Sequence, residues 1–248
     1  VKQSLAGLRV ITDFDGPIIN LSERYYQVYR LCLAQFTPGQ LLQPTPTPSP
    51  QRPPKPPLQT LSKTDFWQLK RAQTPEPEIG LLSGLNAHQA LEFAQCRAAH
   101  AHTHPYFDFD TLVPGAVTAL ERLHRLGADV AVMTLRRQSE LNYALKQHNL
   151  GHLFHPERRF CLRDDHVKTG DVKDKTGLMT QAIQQLSACE QTWMIGDTEA
   201  DITAAHSQNI PVIAVLSGIR DLTQIRLYEP DWIVSDLAAA VQLIVEQS

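Results

Sequence analysis

From Pro114 onward the sequence alternates short aliphatic runs with amphipathic stretches, and this constrains the fold more than any other feature of the chain. Pro114-Gly115 opens an amphipathic pattern from Ala116 to Leu126 that Gly127 stops. Asp129 to Leu135 reads as a strand, and Ser139 caps a helix to about His148. Phe160-Cys161-Leu162 is a short strand, Thr176 to Leu186 a helix, Thr192 to Ile195 a strand and Glu199 to Gln208 a helix. Pro211 to Leu216 and Trp232-Ile233-Val234 are the last strands, and Leu237 to Val245 the last helix. Strand alternating with helix implies parallel strands joined by right-handed crossovers, an α/β chain with a doubly wound sheet.

The first strand stands apart from this series. Val10-Ile11-Thr12 runs into Asp13-Phe14-Asp15 and then a turn-forming Gly16-Pro17. Residues two apart in a strand share a face, so Asp13 and Asp15 start on one side, just where open α/β sheets place their ligands. Between Pro17 and about Pro105 every readable segment is helical. Ser22 caps a helix through Leu31; Thr37 to Pro57 is nearly half proline and cannot continue a helix or join a sheet. Long surface loops add little closure entropy, so the proline-rich stretch is expected to be a tolerated excursion rather than a ligand for a proline-binding module. Ser62-Lys63-Thr64-Asp65 fits a capping box, Pro75 and Pro77 interrupt, and a helical pattern covers Ile79 to about Arg97. The expected division is a core of residues 1–16 and 112–248, with an inserted helical domain over 17–111 that includes the proline-rich loop 37–58.

At 248 residues the chain can bury one full core and a smaller accessory domain. A net charge of −3 provides no electrostatic footprint for nucleic acid or an anionic membrane. No apolar run approaches a membrane span, and the N-terminus lacks a basic-then-apolar signal layout. Cys32, Cys96, Cys161 and Cys189 are scattered without a CxxC pair, so buried free thiols in a reducing cytoplasm are expected. The chain starts at Val1 rather than Met, which points to a missing upstream piece.

Three further segments fall at the carboxyl ends of strands. Thr134 follows Val130-Ala131-Val132-Met133, Lys175 begins the helix after the short strand, and Gly196-Asp197-Thr198-Glu199-Ala200-Asp201 follows Trp193-Met194-Ile195. Singly each has a structural explanation: a hydroxyl bonding backbone, a solvated lysine, helix caps. Together with Asp13 and Asp15, they gather a carboxylate nucleophile, an acid/base, a hydroxyl, an ammonium and two more carboxylates along one sheet edge. The pattern Asp13-x-Asp15-Gly16, Thr134, Lys175 and Gly196-Asp197-x-x-x-Asp201 resembles the haloacid dehalogenase-like superfamily of phosphohydrolases. The resemblance spans the whole core. It implies a Rossmann-like core, and the helical insertion resembles the C1 cap of phosphoglycolate phosphatases and β-phosphoglucomutase-like proteins. Pro17 departs from the Thr that many phosphatases of this group carry there.

Charge supports the same chemistry independently. A carboxylate attacking a phosphate dianion at about 3.5 Å meets roughly 9 kcal/mol of repulsion at an effective dielectric near 20, so cations must stand beside it. The resemblance implies Mg2+ on Asp13, Asp197 and the backbone carbonyl of Asp15, with Asp201 holding the metal shell directly or through water. Lys175 supplies the ammonium in preference to Lys173, because Leu178 and Ile183 continue an amphipathic helix that leaves Lys175 in its first turn. Thr134 is expected to bond the transferring phosphoryl oxygens. Asp15, held as a neutral acid, is expected to protonate the leaving oxygen and then activate water. Arg136, with Arg137, touches a substrate phosphate or carboxylate, or is simply solvated.

The expected partner is a small phosphate ester, on a cytoplasmic monomer or homodimer with an aspartyl-phosphate intermediate. Two alternatives stand beside hydrolysis: a mutase or phosphotransferase on the same core, and a phospho-accepting signalling protein of receiver type. Two features read as decoys. Asp108-Phe109-Asp110 repeats the acid spacing without an aliphatic strand or a glycine and is expected to be a solvated hinge. His100, His102 and His104 alternate as if to clasp a metal, but are expected on an exposed connection.

Overall fold

The computed structural model describes residues 4–37 and 58–248. Residues 38–57, and with them nearly all of the proline-rich reading, lie outside the described residues. In chain order the strands are β1 (Leu8–Thr12), β2 (Ile19–Asn20), β3 (Thr111–Leu112), β4 (Asp129–Arg137), β5 (Arg159–Leu162), β6 (Gln191–Gly196), β7 (Val212–Val215) and β8 (Trp232–Val234). The helices are α1 (Ser22–Ala34), α2 (Lys63–Arg71), α3 (Glu76–Leu82), α4 (Ala87–His100), α5 (Ala116–Arg125), α6 (Gln138–Gln147), α7 (Asp171–Gln185), α8 (Glu199–His206), α9 (Leu222–Arg226) and α10 (Leu237–Gln247). The chain divides into two compact units, Val1–Leu21 with Thr111–Ser248, and Ser22–Asp110.

The first unit is built on a six-stranded sheet of order β5-β4-β1-β6-β7-β8, and all its pairings are parallel. Parallel sheets carry helices on both faces, which is why β1 is buried at every position and reads as an unbroken apolar run. The exception in sequence is Arg9, 3% exposed; its guanidinium donates to Asp129 at 2.9 Å and to the Ser187 carbonyl at 2.7 Å. Strand order reverses beside β1: the chain builds outward through β4 and β5, then returns to lay β6 on the other side. Thr12 pairs with Val132 of β4 and with Ile195 of β6. The chain therefore leaves β1 and β6 nearly level, with β4 running on to Arg137 beside them, at the switch point where such sheets bind ligands. Leu178, Met179 and Ala182 of α7 and Ile202, Ala204 and Ala205 of α8 pack with Ile11, Ala131 and Met194 in one apolar cluster.

The second unit is helical. Ser62 caps α2 as its spacing predicts, accepting the Asp65 N–H at 3.1 Å. Pro75 and Pro77 start α3 rather than merely interrupting, because proline fits a helix's first turn. The single helix expected from Ile79 to Arg97 is two. Gly84, at φ +87°, breaks it, and Asn86 recaps α4 in a reciprocal box with Gln89. Tyr29, Phe66 and Phe93 form the aromatic centre, with Tyr29 and Phe66 stacked at 4.7 Å.

Several other expectations need correction. The boundary falls at Ser22, not Pro17, because Ile19 and Asn20 pair antiparallel with Leu112 and Thr111; this two-residue ribbon is too short to leave a sequence signal. Helix α7 starts at Asp171, so Lys175 lies in its second turn; the polar stretch before Leu178 hid the earlier start. Cys32 and Cys96 are not free thiols. They form a disulfide between α1 and α4 across a separation of 64 residues, while Cys161 and Cys189 are free. The three histidines face three different rings, Tyr106, Tyr25 and Phe107, rather than one point.

Asp110 is not a solvated hinge residue. It is 3% exposed and pairs at 3.1 Å with Arg24, whose guanidinium also lies 4.9 Å from the centre of the Phe107 ring. This ion pair joins the two ends of the helical unit. Removing one partner of a buried pair strands the other charge, so Asp110→Asn is expected to destabilise the protein by about 3–5 kcal/mol. The double change Arg24→Met with Asp110→Leu should recover much of that loss in urea unfolding curves. Equal losses in the single and double variants would show that the pair is not the source.

Candidate active site

Asp13 is the first residue beyond β1. Its N–H still donates to the Ile195 carbonyl at 2.8 Å, which anchors it beside the end of β6. Its Oδ1 accepts the Phe14 N–H at 2.7 Å and lies 2.8 Å from the Lys175 ammonium. The same ammonium lies 2.8 Å from Asp201, so one lysine from α7 joins the ends of β1 and α8. Lys175 is 2% exposed, whereas Lys173, on the same helix, is exposed. Helical spacing explains the difference: Lys175 and Leu178 are three apart and share the face packed on the sheet.

Asp197 leaves β6 through Gly196 and accepts the Ile219 N–H at 2.7 Å. Asp201 sits four residues on and closes the N-terminal cap of α8. Its Oδ2 accepts the Asp197 and Thr198 N–H groups at 3.2 and 3.1 Å and the Thr198 hydroxyl at 2.8 Å. The segment after β7 packs over the same acids. Ser217 donates to the Gly16 carbonyl at 2.8 Å, and Arg220 forms a two-point pair with Glu199 at 2.7 and 2.8 Å. Gly218 is required by close approach: a Cβ there would overlap the Asp197 carboxylate. Gly16 is required twice over, since its φ is +96° and a Cβ would strike the same carboxylate.

Thr134 is buried on β4, and its hydroxyl accepts the Arg136 N–H at 3.2 Å. The pairing of β4 with β5 shifts register between Thr134 and Arg137. Past this shift Arg136 is 4% exposed. Its side chain is neither solvated nor pointed outward. Nε donates to both Asp15 oxygens at 3.0 Å, and Nη2 to Oδ1 at 2.6 Å. The guanidinium also lies 5.2 Å from the centre of the Phe14 ring. Asp15 is therefore an ion-paired acceptor here, not the isolated neutral acid expected from sequence. Arg137 turns elsewhere, to the carbonyls of Asp164 and His166.

Asp13, Asp197 and Asp201 are all buried, and each offers an oxygen within 4.8 Å of the others. Burial, with Lys175 opposing it and the neighbouring acids adding to it, holds the Asp13 carboxyl well above the usual carboxylate range. Burial and the charge of Asp201 push Asp197 up to about 7 against the Ile219 hydrogen bond. Burial alone would lower Lys175, but Asp13 and Asp201 more than reverse it, so the ammonium is held above its ordinary value. An oxygen-only donor set with more negative than positive charge suits a hard divalent cation, and the three acids fit one.

Sequence reasoning named Asp13, Asp15, Thr134, Lys175, Asp197 and Asp201, and these do gather at one sheet edge. It missed Ser217, Gly218 and the Ile219 N–H. A glycine soon after a buried strand was the available signal for that segment.

A family model described as haloacid dehalogenase-like hydrolase matches residues 9–208. Among curated proteins, pyrophosphatase PpaX of Oceanobacillus iheyensis is 22% identical over 138 residues, 55% of this chain and 62% of that protein. The match thus spans less than two thirds of that relative's length. A provisionally named phosphatase of Clostridium difficile superposes with a TM-score of 0.67 at 15% identity, covering 97% of this chain and 98% of the other. A haloacid dehalogenase-like family hydrolase of Streptococcus pneumoniae gives 0.62 at 19%, covering 96% and 99%. At such identities the two structures speak for the fold.

The raised Asp197 has a consequence for stability. Between its ordinary value of 3.8 and about 7, the native chain holds a proton that the unfolded chain has released. More protons on the native state means that stability falls as pH rises through that window. In metal-free buffer the wild type should lose thermal stability relative to Asp197→Asn from about pH 4 to 7. Parallel melting-temperature profiles for the two proteins would show that Asp197 is not strained by burial.

Proposed function

Because the chain belongs to the haloacid dehalogenase-like hydrolases, we propose that it is a phosphatase acting on a small phosphate monoester through an aspartyl-phosphate on Asp13. The observation that carries this reading is the Lys175 ammonium held 2.8 Å from both Asp13 and Asp201. An anionic nucleophile facing an anionic substrate needs that charge beside it.

In this reading Asp13, Asp197 and the Asp15 carbonyl would hold Mg2+, which would supply Lewis-acid neutralisation of the phosphoryl oxygens. Asp201 acts from behind, since its Oδ2 is occupied by the α8 cap. Lys175 orients Asp13 and opposes the burial that raises its carboxyl. Asp13 attacks phosphorus, and the Thr134 hydroxyl bonds an equatorial oxygen of the transferring group. Asp15 moves the protons. Paired with Arg136 it is an acceptor, ready to take a proton from the water that hydrolyses the aspartyl-phosphate. To deliver a proton to the leaving oxygen in the first half-reaction it parts from Arg136, and the freed guanidinium is then available to the substrate's anion. The helical unit, as a C1-type cap, selects the leaving group. The relative named as a pyrophosphatase supports phosphate transfer in general.

A panel of small phosphate esters, assayed with and without Mg2+, tests the reading. Activity should vanish with chelator and return with the cation. Asp13→Asn should abolish turnover while its circular dichroism stays native. Lys175→Ala should lower kcat about 10²–10³-fold, the cost of losing one charge-stabilising group, whereas Lys173→Ala should leave it near wild type. Undiminished hydrolysis by Asp13→Asn would remove the aspartyl-phosphate from the mechanism.

A further inference from the structure

The helical unit contains reactive chemistry that phosphate transfer does not use. Cys32 of α1 and Cys96 of α4 are bonded, and the two sulfurs have different surroundings. Cys32 is 0% exposed, packed with Tyr29 and Phe93 in the aromatic centre. Cys96 lies at the margin of that cluster and is partly exposed. Among the described residues, the polar groups converge on Cys96. The Gln35 side-chain amide donates to its Sγ at 3.3 Å. His100, one helical turn on, places Nδ1 3.7 Å from the same sulfur while donating to the Cys96 carbonyl at 2.8 Å. A disulfide that served only to brace the core would need neither an accessible sulfur nor N–H groups around it.

We propose that Cys32–Cys96 is a reversible thiol–disulfide exchange site, opened by a dithiol reductant that attacks Cys96. In the first step a reductant thiolate bonds to Cys96 Sγ, the Cys32–Cys96 bond breaks, and Cys32 leaves as a thiolate that takes a proton. In the second step the reductant's other thiolate attacks its own bonded sulfur, and Cys96 leaves as a thiolate with the Gln35 amide and the His100 N–H beside it. The balance is one protein disulfide and one dithiol converted to two protein thiols and one oxidised reductant. Accessibility sets the direction of attack, and the surrounding N–H groups favour release of Cys96.

Opening the bond removes the covalent tie between α1 and α4, and so loosens the helical unit. That this alters phosphatase turnover rests on the reading of this unit as a cap; the exchange chemistry itself does not.

The test separates the two. The full chain, isolated without reductant and denatured in an alkylating probe, should show two thiols, Cys161 and Cys189. Native protein treated first with a dithiol should show four. In native protein, Cys96 of Cys32→Ser should form a mixed disulfide with an aromatic disulfide reagent at least about tenfold faster than Cys32 of Cys96→Ser, as exposure dictates. Four thiols in the unreduced chain, or a bond that opens only after denaturation, would overturn the proposal. So would equal reactivity of the two cysteines. The turnover of oxidised and reduced wild type, beside a Cys32→Ser/Cys96→Ser control that ignores reductant, then reads the regulatory consequence. Exchange without any phosphatase activity would count against the proposed function and leave the exchange site standing.

Discussion

One ammonium surrounded by carboxylates is the contact on which the rest of the site depends. Lys175 touches Asp13 on one side and Asp201 on the other at 2.8 Å. Without it the ends of β1 and β6 would bring three buried acids together with no ammonium in contact with them. The sheet can place those acids side by side because parallel register leaves β1 and β6 nearly level, and α7 can reach them because its apolar face is packed beneath.

Packing against that cluster leaves little room for error. Gly16 and Gly218 bring backbone so close to Asp197 that any side chain there would displace the acid. The Ile219 N–H favours ionised Asp197 while burial opposes it, and burial wins. Ionising an acid buried in this way costs the folded chain stability. Arg136 and Asp15 show the opposite choice: there the charge is satisfied within the protein by a two-point pair.

The sheet was legible because buried parallel strands leave continuous apolar runs, and Val10 to Thr12 or Val212 to Val215 can hardly be anything else. The site was legible for a related reason: carboxylates directly after such runs have few places to go. What sequence concealed depended on tertiary placement. The gap between α3 and α4 falls where apolar periodicity continues on both sides, so only the backbone of Gly84 reveals it. The start of α7 is polar and lacks a face to read. The direction of the Arg136 side chain follows a register shift in β4 that no residue type announces. The Ile219 contribution is a backbone N–H, which every sequence contains. Pairing of Cys32 with Cys96 rests on two helices meeting across 64 residues, which spacing alone cannot foretell.

That covalent bond also changes what continuity of the main chain is for. The segment between Cys32 and Cys96 is a closed ring, and 38–57 lies within it. A backbone broken anywhere along the ring still leaves a single molecule, with α1 and α4 attached to each other through sulfur. Oxidation thus separates the integrity of the helical unit from the integrity of its backbone between the two cysteines.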